Sequence, residues 1–474
     1  MADPVPSPAD AEAARVEAAV ARELAPSAEF LERLAGARER LVAKVERAAR
    51  ERHSPLVRAL VAGSAARGTF LSDRLDVDLF LLFPPDLSDD RLKEEGLALG
   101  RAVLAEPTLK YADHPYLRGK FEGFAVDAVP GFAVDDPGRP RSPVDRTPFH
   151  QAYLSERETP ALVAEVRLAK QFLRTLGVYG SEARTEGFSG YLLELLVLEH
   201  GSFRGLLRAA RSWRIPVRLT PAGREPPRLP TEVALVLADP VDANRNVATA
   251  LSRRNLATLI VAAGAYLARP GPGWFRPRAP APFPLASALR ELRRRETHAV
   301  VFSRPKPELV DDTLYPQVRK AERAIVDELE RAGFRVLGSA SAADADRVVV
   351  VAELAERTRP LVRRRDGPPA GVDRTGDFLA TWPADRPEVL QGPYVRADGS
   401  LGVETSEKDR DVEAFLRERI PRLSLGRHLS GAEGVRVEPL EAATESPALL
   451  EALRALLRKG LPWPPRADAG STSG

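Results

Sequence analysis

The chain contains no cysteine and a single methionine among its 474 residues. The first absence excludes disulfides, thiolate catalysis and cysteine-ligated zinc or iron–sulfur centres. Histidine is nearly as scarce: His53, His114, His150, His200, His298 and His428 are scattered, with no pair at metal-ligand spacing. Any bound metal is therefore expected to be hard and oxygen-ligated, which points to Mg²⁺ or Mn²⁺. No apolar run approaches the ~18 residues that span a bilayer. The opening MADPVPSPADAEAARVEAAV carries early acids and no basic segment before an apolar core, unlike a secretory signal. A cytoplasmic protein that does not engage a membrane is expected.

What is present is ordinary in bulk. Hydrophobic content of 44% and charged content of 29% fit a globular protein, and the length allows two to four domains with cores of their own. A net charge of +3 leans only weakly towards an anionic partner. Arginine greatly outnumbers lysine, which suits phosphate recognition by a fork of donors, although codon bias gives the same composition.

Along the chain, residues 1–50 have leucines near helical spacing and read as one or two helices. LVRALVAGSAARGTF runs from a strand or helix end through a Gly-Ser turn into a helix start, and LDVDLFLLFP is a strand ended by Pro84-Pro85. A helix is predicted from Asp89 to Leu104 with Ser88 as N-cap, and further strands near Leu109–Tyr111 and at FEGFAVDAVPGF. Residues 131–150 and 269–284, rich in Pro and Gly, read as boundary and linker. Between them lie helical patterns over 156–213 and 246–268, interrupted by a Pro-rich stretch at 215–230. Residues 285–465 alternate strand-like and helix-like pieces, with a helix over 315–332. The division expected is 1–150, 151–270, 285–465 and a disordered 466–474.

The chemistry concentrates in Gly63-Ser64-Ala65-Ala66-Arg67-Gly68-Thr69, then Asp76-Val77-Asp78, then Asp127. A Gly-Ser turn entering a helix offers backbone N–H groups and a hydroxyl to a triphosphate, and Arg67 adds a charged fork. Asp76 and Asp78 lie two apart on a strand and share a face, while Val77, Leu79 and Leu81 point to the core. Neighbouring carboxylates repel unless a cation lies between them. Asp127 is a lone acid in another apolar strand and supplies a third ligand if the two strands are adjacent. Three carboxylates, phosphates and water make an oxygen cage suited to two Mg²⁺. A Gly-Ser turn or an Asp-x-Asp pair alone is common, but burying charge inside LDVDLFLLF without compensation is costly.

GS-x(11)-DVD with a later strand aspartate resembles the polymerase-β-like nucleotidyltransferases. GSAARGTFLSDRLDVDLFLLFP, YADHPYLRGK, DRTPFHQAYL, LAKQFLRTLGVYG, GFSGYLLELLVLEHGSF, DPVDANRNVATALSRRNL and DDTLYPQV, in this order, resemble the archaeal-type (class I) CCA-adding enzymes. The likeness runs from about residue 15 to 465 and is weakest over 215–230 and 355–425. It implies an α+β chain: a polymerase-β-like catalytic head with a mixed sheet, a helical central domain that binds nucleotide and RNA, and an α+β tRNA-binding tail. The implied activity is addition of C, C and A to tRNA 3′ ends from CTP and ATP, without a template.

The resemblance implies nucleotide contacts for Ser64 and Arg67, metal-binding and catalysis for Asp76, Asp78 and Asp127, and triphosphate contacts for His150, Lys170 and Tyr179. It makes Arg245 the base-reading arginine. Read without it, His150 sits in a polar loop, Lys170 on an amphipathic helix, Tyr179 at a helix end and Arg245 at the surface or a helix cap. The tail would grip the acceptor arm and T-loop, with Arg363, Arg364, Arg365 and the Gly367-Pro-Pro turn as candidate RNA contacts; an arginine triplet is equally at home on a solvated face. A homodimer is consistent with the family. Other readings are a poly(A)-polymerase-like or small-molecule nucleotidyltransferase, expected to use ATP without CTP, and a non-catalytic tRNA-binding protein.

Overall fold

The computed structural model describes residues 7–73, 75–111, 115–220, 233–279, 281–431 and 433–461. His114, most of the Pro-rich stretch 215–230 and the tail expected to be disordered lie outside the described residues. The chain divides into two compact units, Met1–Ala279 with Leu461–Gly474, and Pro280–Gly460.

The first unit opens with α1 (Pro8–Leu24) and α2 (Ala28–Glu51), each capped by a serine side chain. Then come β1 (Arg58–Ala62), the one-turn α3 (Gly63–Arg67), β2 (Asp76–Phe83), α4 (Asp89–Val103), β3 (Ala105–Tyr111), β4 (Pro115–Phe121) and β5 (Phe124–Phe132). Ser88 caps α4 as its sequence predicts. The five strands form one mixed sheet in the order β1-β2-β5-β4-β3, with β2 and β5 parallel and the other pairs antiparallel. Period-two alternation sends Val77, Leu79, Leu81 and Phe83 into a core shared with Leu41 and Val45 of α2 and Leu99 of α4. β4 was not foreseen: YLRGK is too polar to stand out, and it pairs because β5 offers it an open edge.

The helical part of this unit comprises α5 (Thr147–Ser155), α6 (Pro160–Thr175), α7 (Gly190–His200), α8 (Phe203–Ala210), a two-stranded β6 (Val217–Leu219) and β7 (Leu235–Leu237), and α9 (Arg253–Ala268). His150 is on α5 and not in a loop. The helix expected over 246–268 begins only at Arg253, because Asn246 and Val247 are taken up by pairing with Ala238 and Leu237. α1 packs into this second core through Ala13, Val16 and Val20, although it opens the chain. The linker-like stretch 269–284 is anchored as well. Trp274 and Phe275 are buried against Phe172, Phe203 and Tyr266, with centroid separations such as 5.6 Å for Phe275 on Phe203 and 6.0 Å for Trp274 on Tyr266 that aromatic pairs favour.

The second unit contains α10 (Leu285–Arg295), β8 (His298–Pro305), α11 (Asp311–Ala332), β9 (Val336–Ala343), β10 (Arg347–Leu354), β11 (Val362–Pro369), α12 (Arg374–Thr381), β12 (Val389–Val395), β13 (Ser400–Ser406), α13 (Val412–Arg419), β14 (Arg436–Pro439) and α14 (Pro447–Leu457). One antiparallel sheet runs β14-β8-β10-β9 and a smaller one β11-β13-β12. Arg363, Arg364 and Arg365 lie on β11. The turn expected at Gly367-Pro368-Pro369 is instead the end of that strand. An edge strand tolerates proline because its outward N–H needs no partner. Gly367 is required by close packing: a Cβ there would lie 2.8 Å from Leu401 Cβ and 2.9 Å from Phe378 Cζ.

Candidate active site

Parallel pairing of β2 with β5 sets Asp78 directly beside Asp127, and Asp76 follows on the same face. On the other side β1 pairs Ala62 with Asp78, so the chain turns at Gly63 against the Asp78 carboxylate. Gly63 has φ 72°, and a Cβ there would sit 2.3 Å from Asp78 Oδ2. Both the left-handed backbone and the contact require glycine. Sequence and register thus bring the three predicted carboxylates and the Gly63-Ser64 turn to one end of the sheet.

Their electrostatics record the crowding. Burial, then the charges of Asp127 and Asp76, push the Asp78 carboxyl up to about 7. Asp127 is also raised, chiefly by burial, and its Oδ1 is buried without a hydrogen-bond partner. Among the described residues no three His, Cys, Asp or Glu side chains stand grouped as a ready-made metal site. Asp76 and Asp127 are instead turned onto Arg118 of β4, which donates to Asp76 Oδ1 and, at 3.2 Å, to Asp127 Oδ2. The donor set nevertheless fits a hard divalent cation: all-oxygen, crowded with negative charge, and holding one buried carboxylate oxygen unpaired.

Beneath α3 lies a buried charge network. Arg67 donates to Gln151 Oε1 and Glu194 Oε2, both at 2.5 Å, and its Nε lies 3.4 Å from Glu158 Oε2. Lys170 donates to Glu194 Oε1 at 2.8 Å and to Thr69 Oγ1 at 3.2 Å, while the Thr69 hydroxyl donates to Glu194 at 2.6 Å. Burial alone would raise the Glu194 carboxyl, but Lys170 and Arg67 bring it down to about 2. Glu158 goes the other way, pushed up to about 7 by burial and by the Glu194 charge. Tyr179 reaches the same region: a Cβ on Gly190 would lie 3.3 Å from its hydroxyl and 3.8 Å from Lys170 Nζ.

A second hub gathers His150 and Arg245. Asp239 Oδ2 faces His150 Nε2 at 2.8 Å and accepts from Arg245 Nη1 at 2.7 Å, while Oδ1 accepts from the Tyr191 hydroxyl at 3.0 Å. His150 stacks on Tyr191 with centroids 4.0 Å apart. Burial would raise Asp239, yet His150, the Val241 amide and Arg245 draw it down to about 2. Arg245 also lines a cleft of about 230 Å³ with Ser181, Ser189 and Asn246. The candidates therefore fall into three neighbouring sets: Asp76, Asp78 and Asp127; Ser64, Arg67, Lys170 and Tyr179; and His150 with Arg245. Arg118, Glu194 and Asp239 were missed. Glu194 and Asp239 carried a readable signal, an acid inside GYLLELLVLEH and in VALVLADP.

In the second unit Arg363 pairs with Glu407 at 3.1 Å, Arg364 lies 3.8 Å from Glu404, and Arg365 bonds Thr405 Oγ1 while lying over the Trp382 ring.

A mixed sheet presenting acids beside a Gly-Ser turn defines a nucleotidyltransferase, and the nucleotidyltransferase-domain family model matches residues 42–150. Models for the second domain of tRNA nucleotidyltransferase and the C-terminal domain of the CCA-adding enzyme match 164–276 and 293–437. The CCA-adding enzyme of Halobacterium salinarum is 40% identical over 395 residues, covering 83% of this chain and 86% of its own. That of Haloarcula marismortui is 43% identical over 351 residues, 71% and 74% of the two chains, and that of Methanothermobacter thermautotrophicus 36% over 386 residues, 78% and 81%. The chain belongs to the family of CCA-adding enzymes. Membership brings nucleotide substrates and divalent-metal catalysis, and tRNA is the family's partner. Among the described residues no helix is long and apolar enough to cross a membrane.

Proposed function

We propose that the chain adds C, C and A to the 3′ end of tRNA in the cytoplasm, using CTP and ATP and releasing pyrophosphate. The RNA 3′-hydroxyl attacks the α-phosphate, forming one P–O bond as the bond to the β-phosphate bridge breaks. The observation that carries this reading is the convergence of Asp76, Asp78 and Asp127 at Gly63, with Asp78 held up to about 7 and an Asp127 oxygen unpaired. These carboxylates would hold two Mg²⁺, whose charge would lower the pKa of the attacking hydroxyl and stabilise the leaving group.

The chain's own residues do the rest. The Ser64 hydroxyl and Arg67 contact the triphosphate where the chain turns after β1. Lys170, buried and paired with Glu194, adds positive charge behind that contact, and Tyr179 and His150 complete it. Arg245, steadied by Asp239, reads the base: a donor fork matches an acceptor on cytosine or adenine and is left unpaired by the wrong base. The second unit grips the acceptor arm and T-loop through phosphates, 2′-hydroxyls and shape, with Arg363, Arg364 and Arg365 as contacts, and the working enzyme is a homodimer.

Asp76→Asn and Asp78→Asn test the assignment. Each is expected to abolish addition while tRNA binding, read by filter retention, stays largely intact. Lost binding with retained addition would overturn it.

A further inference from the structure

Arg118 has no place in the scheme above, yet it touches two of the three acids. Its position is set by backbone register, since β4 pairs it directly with Asp127 of β5. From there its Nη1 and Nη2 reach Asp127 Oδ2 and Asp76 Oδ1, so one planar fork on β4 bridges acids of the two paired strands β5 and β2. The Arg118 and Asp76 side chains are 39% and 47% exposed and Asp127 only 14%, which puts the guanidinium at the solvent side of the cluster. Asp78 lies deeper and draws from Arg118 only a distant charge.

A guanidinium has five donors, no acceptor and a permanent charge. It neutralises carboxylates but cannot ligate a metal, and its fixed charge opposes a divalent cation drawn to the same carboxylates. Arg118 occupies one oxygen of each acid and leaves Asp127 Oδ1 unpaired, so it competes with a cation through its charge.

We propose that Arg118 is the resident counter-ion of the acid cluster, holding Asp76 and Asp127 when no metal is bound and opposing by its charge a divalent cation drawn to them. The inference rests on the reading of these acids as metal ligands. Arg118 is then a positioning residue that keeps the repelling carboxylates on one face, and it sets the metal affinity of the nucleotide-free protein by competition.

The test is direct Mn²⁺ binding to the full chain, without nucleotide or RNA, read from the free-ion electron paramagnetic resonance signal. Removing a competing charge from a pair this exposed predicts that Arg118→Gln binds Mn²⁺ about tenfold more tightly than wild type. Arg118→Lys, whose point charge cannot span both acids, is expected to fall between them and serves if the glutamine variant fails to fold. Unchanged or weaker binding in both folded variants would overturn the proposal. Asp127→Asn separates the two claims: if wild type binds and Asp127→Asn does not, the metal reading stands however Arg118→Gln behaves. If wild type itself binds no Mn²⁺, the metal reading fails and takes this inference with it.

Discussion

Replacing Glu194 by glutamine keeps the side chain's shape and removes only its charge. In the folded chain that carboxylate sits between two cations: Lys170 Nζ at 2.8 Å and Arg67 Nη2 at 2.5 Å, whose side chains are 2% and 7% exposed. Its first oxygen also accepts from Thr69. In the glutamine variant the amide can satisfy one oxygen's donors but turns its own NH₂ towards the other cation. Arg67 then keeps Gln151 and, at 3.4 Å, Glu158, which is itself held near 7. Stripping one partner from a buried ion pair costs about 3–5 kcal/mol, a large share of the ~5–15 kcal/mol by which a domain is stable. Urea unfolding at pH 8 should show a loss of about that size in Glu194→Gln. Adding Lys170→Met to the same chain should recover part of it, because removing both charges of a buried pair is far milder than removing one. A Glu194→Gln variant within about 1 kcal/mol of wild type would refute the buried network as the support beneath the triphosphate-binding turn.

Glu158, raised from an ordinary 4.5 to about 7, keeps its proton in the folded chain across the interval where the unfolded chain loses it. Stability should therefore fall as pH rises from about 4.5 to about 7 and level off above, by a few kcal/mol at most, at about 1.4 kcal/mol per pH unit. Glu158→Gln should make that portion less steep, leaving the share of Asp78, in denaturation curves taken with a chelator present, and an unchanged slope would contradict it. Gly63→Ala must strain a left-handed backbone and displace the Asp78 carboxylate 2.3 Å from the new Cβ. A fall in addition rate of about 100-fold or more, on the order of 3 kcal/mol in the barrier, is expected with tRNA binding retained, and a rate within twofold of wild type would count against the site geometry. Asp239→Asn removes the charge shared by His150 and Arg245, so discrimination of CTP and ATP against UTP and GTP should fall about tenfold or more. Unaltered discrimination would release Arg245 from the base-reading role.

The catalytic end of the sheet was legible in the sequence because its signals are local. Asp-Val-Asp inside an apolar strand states which face each side chain takes, and Ser88 before Asp89-Asp90 states where a helix starts. Adjacency of β2 and β5 was the one long-range step, and the single acid in FAVDAV left it as a condition that the parallel pairing meets. Arg118, Glu158 and Glu194 were harder, since a charged residue in a window of sequence does not show the charge it meets after folding. Arg118 lies in the polar YLRGK and its partners are Asp127, nine residues on, and Asp76, forty-two back. The stretch 269–284 read as a linker contains the division between the two units at Ala279 and Pro280, and its prolines, which fix local backbone, do not prevent Trp274 and Phe275 from packing. The turn expected at Gly367 became strand because β13 pairs beyond it, joining Pro369 to Ser400.

The most direct measurement offers the purified full chain, with Mg²⁺, tRNA transcripts ending before CCA, after the first C and after CC. CTP and ATP are supplied separately and together, and products are read at single-nucleotide resolution. The account predicts that each transcript is completed to CCA and no further, with CTP alone serving the first two ends, ATP alone the third, and no A added before the second C. Addition of A alone to the CC end, open-ended A tails, or no incorporation while tRNA remains bound would each contradict it.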